Sequence, residues 1–154
     1  MFKERQGVLR HKFLDSDFPI AQAVEVPSGF ATIYLSGVVA PVVDPVSQAH
    51  SPLACGGDTE RQTVGVIESL QETLHGLKLT LSDVVKMQVY LVADRKKGGI
   101  DFNGFMSGYR RYFGTEDQPN LPARSTFEVA GLASPGLLIE IEVIAVRKGD
   151  QLTT

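Results

Sequence analysis

The alternation of side chains near the C-terminus constrains the fold more than any other feature of the sequence. From Ile139 onward every second residue is apolar, in the set Ile139, Ile141, Val143 and Ala145. Successive side chains of a strand point to opposite faces of a sheet, so this set shares one face. We predict a strand from Leu137 to Val146 whose apolar face lies beneath helices.

The remaining periodic segments predict a short α+β chain. Strands are predicted at Ala21–Val26, Ala31–Val39, Val84–Ala93 and Arg124–Ala130, and helices at Thr59–His75 and Asp101–Phe113. Thr59 with Gln62 has the spacing of a capping box, Gly76 is a candidate helix stop, and Asp101 can cap the second helix. The order β-β-α-β-α-β-β favours one mixed sheet with both helices on one face, in a single domain over residues 1–154.

The predicted sheet face away from the helices is mixed in character. In the last strand it carries Leu138, Glu140, Glu142, Ile144 and Val146. In the strand from Arg124 we assign Ser125, Phe127 and Val129 to the helices and Arg124, Thr126 and Glu128 to the other face. In the strand from Val84 the apolar set is Val85, Met87, Val89 and Leu91. Two interpretations stay open: identical subunits cover this face, or it is the half-wet sheet of a monomer.

Charge and composition argue against several classes of function. The 154 residues carry a net charge of −3, and the basic clusters are short, at Arg95–Lys97 and Arg110–Arg111. A nucleic-acid partner is therefore not expected. The sequence has no apolar run long enough for a membrane span, and its first six residues include three charged side chains and no apolar h-region. We therefore expect a cytoplasmic protein without a membrane partner. The single cysteine, Cys55, and three dispersed histidines predict no metal site.

The segment from Leu121 to Thr126 carries the most informative chemistry. Arg124 stands at the start of a predicted strand, directly after Pro122 and Ala123. A guanidinium group there can bind a carboxylate through two hydrogen bonds, which predicts an anchor facing an open, wet cleft. The alternative is a structural ion pair between Arg124 and Glu140 or Glu142.

Four segments together resemble the RidA/YjgF family of enamine/imine deaminases, formerly described as endoribonuclease L-PSP. They are Pro122–Ser125 with the tail Ile139–Val146, the early segment Pro19–Val24, and the strand end Leu35–Gly37. The resemblance covers Phe18 to Val146. It implies a chorismate-mutase-like α+β fold and a homotrimer, with a central barrel of sheets and ligand clefts between subunits.

The resemblance also implies a set of site residues. Arg124 takes the position that binds the substrate carboxylate, and Glu140 the position that holds or activates the attacking water. Further ligand-binding positions fall on Ile20, Ser36, Gly37, Met106 and Thr126. Three of these differ from the best-known deaminases, which have tyrosine, asparagine and cysteine where this chain has Ile20, Met106 and Thr126. The loop Val46–Asp58 is longer than usual and is expected to wall or cover the cleft.

The function implied is hydrolysis of reactive 2-imino or 2-enamino acids to 2-oxo acids and ammonia. No metal or organic cofactor is expected, and the partner is a small carboxylate-bearing substrate. A non-catalytic trimer that binds a small carboxylate metabolite is the main alternative. A ribonuclease, suggested by the older family description, is disfavoured by the net charge.

Overall fold

The computed structural model describes residues 7–45 and 51–149 and confirms an α+β fold. The strands are β1 (Leu9–His11), β2 (Ala23–Glu25), β3 (Phe30–Val39), β4 (Val84–Val92), β5 (Ala123–Val129) and β6 (Ile139–Lys148), and the helices are α1 (Thr59–Gly76) and α2 (Phe102–Tyr109). Short 3-10 turns span Pro52–Cys55 and Leu81–Asp83. Strand β1 was not predicted, because three residues are too few to show alternation. Residues 46–50 of the loop expected to cover the cleft lie outside the described residues.

The main sheet is mixed, as predicted, with the strand order β3-β6-β4-β5. Strand β6 is antiparallel to both of its neighbours, whereas β4 and β5 are parallel. Helix α1 packs against α2, β6 and β3. The predicted apolar row of β6 lies in this core, with Ile139, Ile141 and Ala145 fully buried. Strands β1 and β2 form a separate antiparallel pair.

The start of α1 differs from the predicted capping box. The cap is Asp58, whose carboxylate accepts from the backbone N–H of Arg61 at 3.0 Å. Gln62 is fully buried instead. Its amide donates to the carbonyls of Gly57 and Gly136 and accepts from the N–H of Leu138 at 2.9 Å. Because these bonds use the whole amide, Gln62 is not free to cap the helix, and it ties the start of α1 to the start of β6.

Other helix ends are partly as predicted. Gly76 lies within α1, and the left-handed conformation that ends the helix falls on Lys78, with φ 59°. Asp101 caps α2 by accepting from the N–H of Gly104 at 3.0 Å, which confirms the predicted cap. Helix α2 ends at Tyr109, four residues before the predicted Phe113. Phe105, Tyr109 and Phe113 form an aromatic stripe in the core, where all three are almost fully buried.

A β-bulge changes the predicted orientation of one valine. The register between β4 and β6 shifts between Val84 and Lys86. Val84 is in the main core, while Val85 packs with Val8 and Val146 in a second cluster. The predicted helix-facing set of β4 is therefore wrong at Val85, because the extra residue of the bulge reverses the alternation there.

The predicted faces of β5 are reversed. In the parallel register Arg124 lies beside Met87 and Thr126 beside Val89, and both partners are fully buried beneath the helices. Phe127 is 45% exposed and stacks on Tyr90 on the other face. Adjacent paired residues point to the same side of a sheet, so Arg124 and Thr126 face the helices.

The face away from the helices is only partly covered within one protomer. The β1–β2 pair covers one end, where Val146 is 4% exposed against Val8. Further along, Tyr34 is 77% exposed beside Ile144 on β6. Among the described residues, no helix is both long and apolar enough to cross a membrane.

Replacing Gln62 by leucine tests the bond between α1 and β6. Leucine fills a similar volume but leaves the Leu138 N–H and two carbonyls without their buried partner. We expect Gln62→Leu to lower the free energy of unfolding by about 2–4 kcal/mol. Urea unfolding followed by circular dichroism measures this. Gln71→Leu, on the exposed side of the same helix, is the control, and an equal effect of the two variants would contradict the assignment.

Candidate functional site

The guanidinium group of Arg124 is packed among aromatic rings. Its central carbon lies 4.5 Å from the ring centroid of Tyr109, 4.9 Å from that of Phe105 and 5.4 Å from that of Phe18. Tyr109 and Phe105 come from α2, whereas Phe18 comes from the segment before β2. The cation is therefore held mainly by ring faces, which attract it through their quadrupoles. The residue is partly buried by these rings, and the cleft expected between subunits at this position stays a prediction.

The hydrogen-bonding capacity of this arginine is largely unused. Nη2 donates to the Met106 sulfur at 3.3 Å, which is a weak acceptor, and Nη1 is buried without a partner among the described residues. Two residues further on, the buried Thr126 hydroxyl also lacks a partner. Buried polar groups are rarely left unpaired. Arg124 Nη1 and the Thr126 hydroxyl therefore keep hydrogen-bonding capacity that no described residue uses.

Electrostatics favour an anion at Arg124. Burial lowers the pKa of Arg124, and Tyr109 opposes that shift. An arginine starts from a pKa so high that it stays charged in proteins. A buried, unpaired positive charge is costly, so binding a carboxylate here would recover electrostatic energy.

The backbone around this arginine is fixed by long-range hydrogen bonds. The Tyr109 hydroxyl donates to the Pro19 carbonyl at 2.8 Å, and the Ala21 N–H donates to the Pro122 carbonyl at 2.9 Å. The Arg10 guanidinium donates to the carbonyls of Leu121, Val84 and Ser82, and burial lowers its pKa to about 10. Sequence reasoning missed Arg10, because nothing local distinguishes it from an exposed basic residue.

Glu140 lies on the opposite face of the sheet. Its neighbours Ile139 and Ile141 are fully buried beneath the helices, so the side chain between them points the other way. It lies against Gly37, where an added Cβ would come within 2.0 Å of Glu140 Oε1. Ser36 and Gly37 form the irregularity of β3 between Leu35 and Val38. Glycine at 37 is what lets the carboxylate approach the strand.

The structure thus divides the predicted site residues into two groups. Met106, Thr126 and Arg124 lie on the helix side, and Ile20 lies on the adjoining segment, where it lines an open cavity of about 270 Å³. Ser36, Gly37 and Glu140 lie on the other side of the sheet. The prediction that Arg124, Thr126 and Glu140 share a face is wrong, because the phase of β5 is reversed.

The alternative of a structural ion pair is not supported within one protomer. Arg124 makes no ion pair among the described residues, and Glu142 accepts from the Tyr90 hydroxyl at 3.0 Å. Burial raises the pKa of Tyr90, and the bond to Glu142 adds to that shift. Across residues 7–45 and 51–149, no cluster of three or more His, Cys, Asp or Glu is placed to hold a metal ion.

Comparison with known proteins agrees with the fold and with the predicted resemblance. The sequence model of the family described as Endoribonuclease L-PSP matches residues 19–147. A RutC family protein of Saccharolobus solfataricus is 36% identical over 127 residues, covering 82% of this chain and 86% of that protein. The 2-iminobutanoate/2-iminopropanoate deaminase of Rattus norvegicus is 38% identical over 116 residues, covering 75% of this chain and 73% of that protein.

Solved structures show the same architecture. A conserved Rid family protein from Yersinia pestis has a TM-score of 0.68 at 27% identity, covering 91% of this chain and 97% of that one. Escherichia coli TdcF with bound serine has a TM-score of 0.59 at 26% identity, covering 84% of this chain and 88% of that one. The predicted RidA/YjgF-like fold is confirmed. This chain belongs to the RidA/YjgF family, the family also described as endoribonuclease L-PSP.

Proposed function

We propose that the protein hydrolyses small 2-imino or 2-enamino acids to 2-oxo acids and ammonia, without a cofactor, at a site shared between two copies of the chain. The observation that carries this proposal is the pair of unused groups on opposite faces of one sheet. Arg124 is a partly buried cation without an acidic partner among the described residues, and Glu140 makes no ion pair there. The relative from rat that is named as an imine deaminase supports the reaction class.

The role of Arg124 follows from the chemistry of the substrate. A 2-imino acid carries one fixed negative charge, its carboxylate. The guanidinium group binds that carboxylate through the donor that Met106 satisfies weakly and the donor that has no partner. Anchoring the carboxylate fixes the imine carbon, which is bonded directly to it. The structure of TdcF with bound serine, itself a carboxylate, supports a ligand of this kind.

The role of Glu140 is proton transfer. Its carboxylate accepts a proton from water as the oxygen adds to the carbon of the protonated imine, which gives a carbinolamine. It then gives that proton to the nitrogen; as the carbon–nitrogen bond breaks, the hydroxyl proton passes back to the carboxylate, and ammonia and the 2-oxo acid leave. The approach of Glu140 to Gly37 places this carboxylate beside exposed backbone that can also contact the ligand.

Two copies are needed because Arg124 and Glu140 lie on different strands, with β4 between them, and on opposite faces of the sheet. Arg124 on β5 and Glu140 on β6 point to opposite sides, so one protomer does not bring them to the same small molecule. A ring of three subunits, in which one copy supplies Arg124 and the next supplies Glu140, resolves this. The exposed Tyr34 and Phe127 on the sheet face give such a ring an apolar surface to bury.

Mixed trimers test the shared site directly. We expect Arg124→Met and Glu140→Gln to be inactive separately, because one lacks the anchor and the other lacks the proton acceptor. Methionine keeps apolar packing against the rings. Co-expressed in equal amounts, the two variants should regain about a quarter of wild-type ammonia release, since a quarter of the interfaces then pair an intact arginine with an intact glutamate.

The assay is ammonia release from an imine generated in place by an amino-acid oxidase. Each variant also receives a thermal melt, and structured RNA serves as a control substrate. If the mixed trimers show no activity, the shared site is wrong: either both residues act within one protomer, or they do not belong to the site. Wild-type protein that binds 2-oxo acids but releases no ammonia would favour the non-catalytic carboxylate-binding alternative.

Gly37→Ala tests the position of the Glu140 carboxylate. The added Cβ occupies the place of Glu140 Oε1, so the flexible glutamate must move while the backbone stays in an ordinary conformation. We expect the melting temperature to change by less than about 3 °C and turnover to fall at least about tenfold. Gly131→Ala, where an added Cβ meets nothing within 4 Å, is the matched control. Unchanged turnover in Gly37→Ala would argue against Glu140 as the proton acceptor.

Tyr34→Glu tests the association surface. Tyr34 is 77% exposed in one protomer, so a charge there costs the isolated fold little. Buried between subunits, the same charge would be unpaired and expensive. We therefore expect light scattering to show smaller species for Tyr34→Glu, together with loss of turnover. Leu14→Glu, at another exposed apolar residue, should leave assembly intact, and equal assembly of the two variants would contradict the proposed interface.

A further inference from the structure

The orientation of Arg124 depends mainly on three aromatic rings. By distance and angle its guanidinium has the Met106 thioether sulfur as acceptor, the Tyr109 side chain also interacts with it, and Nη1 has no partner among the described residues. The rings of Tyr109 and Phe105 lie at 4.5 and 4.9 Å, and that of Phe18 lies at 5.4 Å. We use the name aromatic clamp for these three rings, Phe18, Phe105 and Tyr109.

The three rings are not equally secured. Phe105 and Tyr109 are fully buried in α2, and they contact each other at a centroid distance of 5.7 Å. Phe18 is 36% exposed and lies on a segment outside regular structure. Its ring stacks on Phe102 at 6.5 Å, and its backbone bonds are local, to the Ser16 hydroxyl and the Ile20 N–H, so they do not join this segment to α2. The ring of Phe18 therefore needs a backbone tether to stay over the guanidinium.

Tyr109 supplies that tether. Its hydroxyl donates to the carbonyl of Pro19, the residue next to Phe18, at 2.8 Å, and this bond is buried. Its ring at the same time forms the nearest wall of the clamp. One side chain thus contacts the cation directly and also holds the segment that brings the third ring.

We propose that Tyr109 is a positioning residue: its hydroxyl bond to Pro19 keeps the Phe18 ring over Arg124, and the closed aromatic clamp holds the guanidinium ready for a small carboxylate. This inference rests on the proposed carboxylate site at Arg124. An arginine has many rotamers, and fixing it before binding lowers the entropic cost of association. Tyr109 acts through Phe18 and Arg124 and takes no part in proton transfer.

Two variants open the clamp in different ways. Tyr109→Phe keeps the buried ring and removes the hydroxyl, and with it the bond to Pro19 and the hydroxyl's own interaction with Arg124. Phe18→Leu removes the third ring and leaves the Tyr109 hydroxyl in place, so it tests the clamp without that direct interaction. The control is Tyr112→Phe, whose hydroxyl donates to Glu68 at 3.0 Å on the outer side of the same chain segment. All three are single changes, and Tyr109→Phe, which lies within α2, keeps the buried ring of that helix.

Binding of 2-oxobutanoate, measured by calorimetry, is the first readout. We expect Kd to rise about fivefold in Tyr109→Phe and in Phe18→Leu, the size of one lost hydrogen bond or one cation–π contact, and to stay unchanged in Tyr112→Phe. In imine turnover the same variants should raise KM and leave kcat within about twofold, because the reacting groups are intact. If Tyr109 and Phe18 were only structural, their replacement would lower the melting temperature and would not raise KM while leaving kcat unchanged.

The second readout does not depend on activity. Side-chain nuclear magnetic resonance of the Arg124 Nε–H reports how fast that proton exchanges with water. We expect faster exchange in Tyr109→Phe and Phe18→Leu than in wild type, and no change in Tyr112→Phe. If exchange and 2-oxobutanoate binding in both clamp variants match wild type, the clamp is overturned.

The outcomes for the clamp and for the deaminase differ. If wild-type protein binds 2-oxobutanoate through Arg124 but releases no ammonia from any imine, the proposed deaminase activity is overturned. The clamp is then judged by the binding data alone. Normal turnover with an unchanged KM in Tyr109→Phe overturns the clamp and leaves the reaction standing. Should Tyr109→Phe fail to fold, Phe18→Leu decides alone, since Phe18 lies at the surface.

Discussion

The pairing of β6 with both of its neighbours is the interaction on which the rest of the structure depends. Its two edges bond to β3 and β4, and its apolar row lies beneath α1. A strand bonded on both edges cannot slip by one residue without exposing that row and burying two glutamates. The position of Glu140 on the sheet is therefore a direct consequence of the burial of Ile139 and Ile141.

The connection between Gln62 and Leu138 extends this constraint to the helices. A buried amide that is fully bonded costs little, whereas the same amide without its partners is strongly destabilising. Because Gln62 contacts both the loop before α1 and the start of β6, the helix is fixed along its axis relative to the sheet. The close approach of α2 to α1 at Gly108, where a Cβ would meet Thr63 at 2.8 Å, then places the aromatic stripe at the edge strand.

The proposed site follows from that placement. Edge strand β5 brings Arg124 against the rings of α2, and those rings offer attraction for a cation without neutralising its charge. A carboxylate partner in the same place would have produced a finished ion pair with nothing left to bind. The arrangement holds a partly buried cation without an acidic partner among the described residues, and it leaves Nη1 unpaired there. The glutamate needed for proton transfer lies across the sheet, which makes assembly part of the proposed chemistry.

The sequence by itself determined the α+β class, the order of the main elements, the apolar row of β6, the cap at Asp101 and the family to which the chain belongs. Each of these depends on a local period, a cap or a motif, and such features can be recognised in the sequence without knowing which residues lie nearby in the fold.

The direction of Arg124 was decided only by the tertiary structure. The alternation in β5 separates Arg124, Thr126 and Glu128, which are all polar, from Phe127 and Val129, and it therefore predicted the opposite phase to the one the structure has. The parallel register with β4 and the aromatic rings of α2 set that phase. The roles of Gln62, Arg10 and Val85 were decided in the same way, by partners distant in the chain and by a bulge that no local pattern announces.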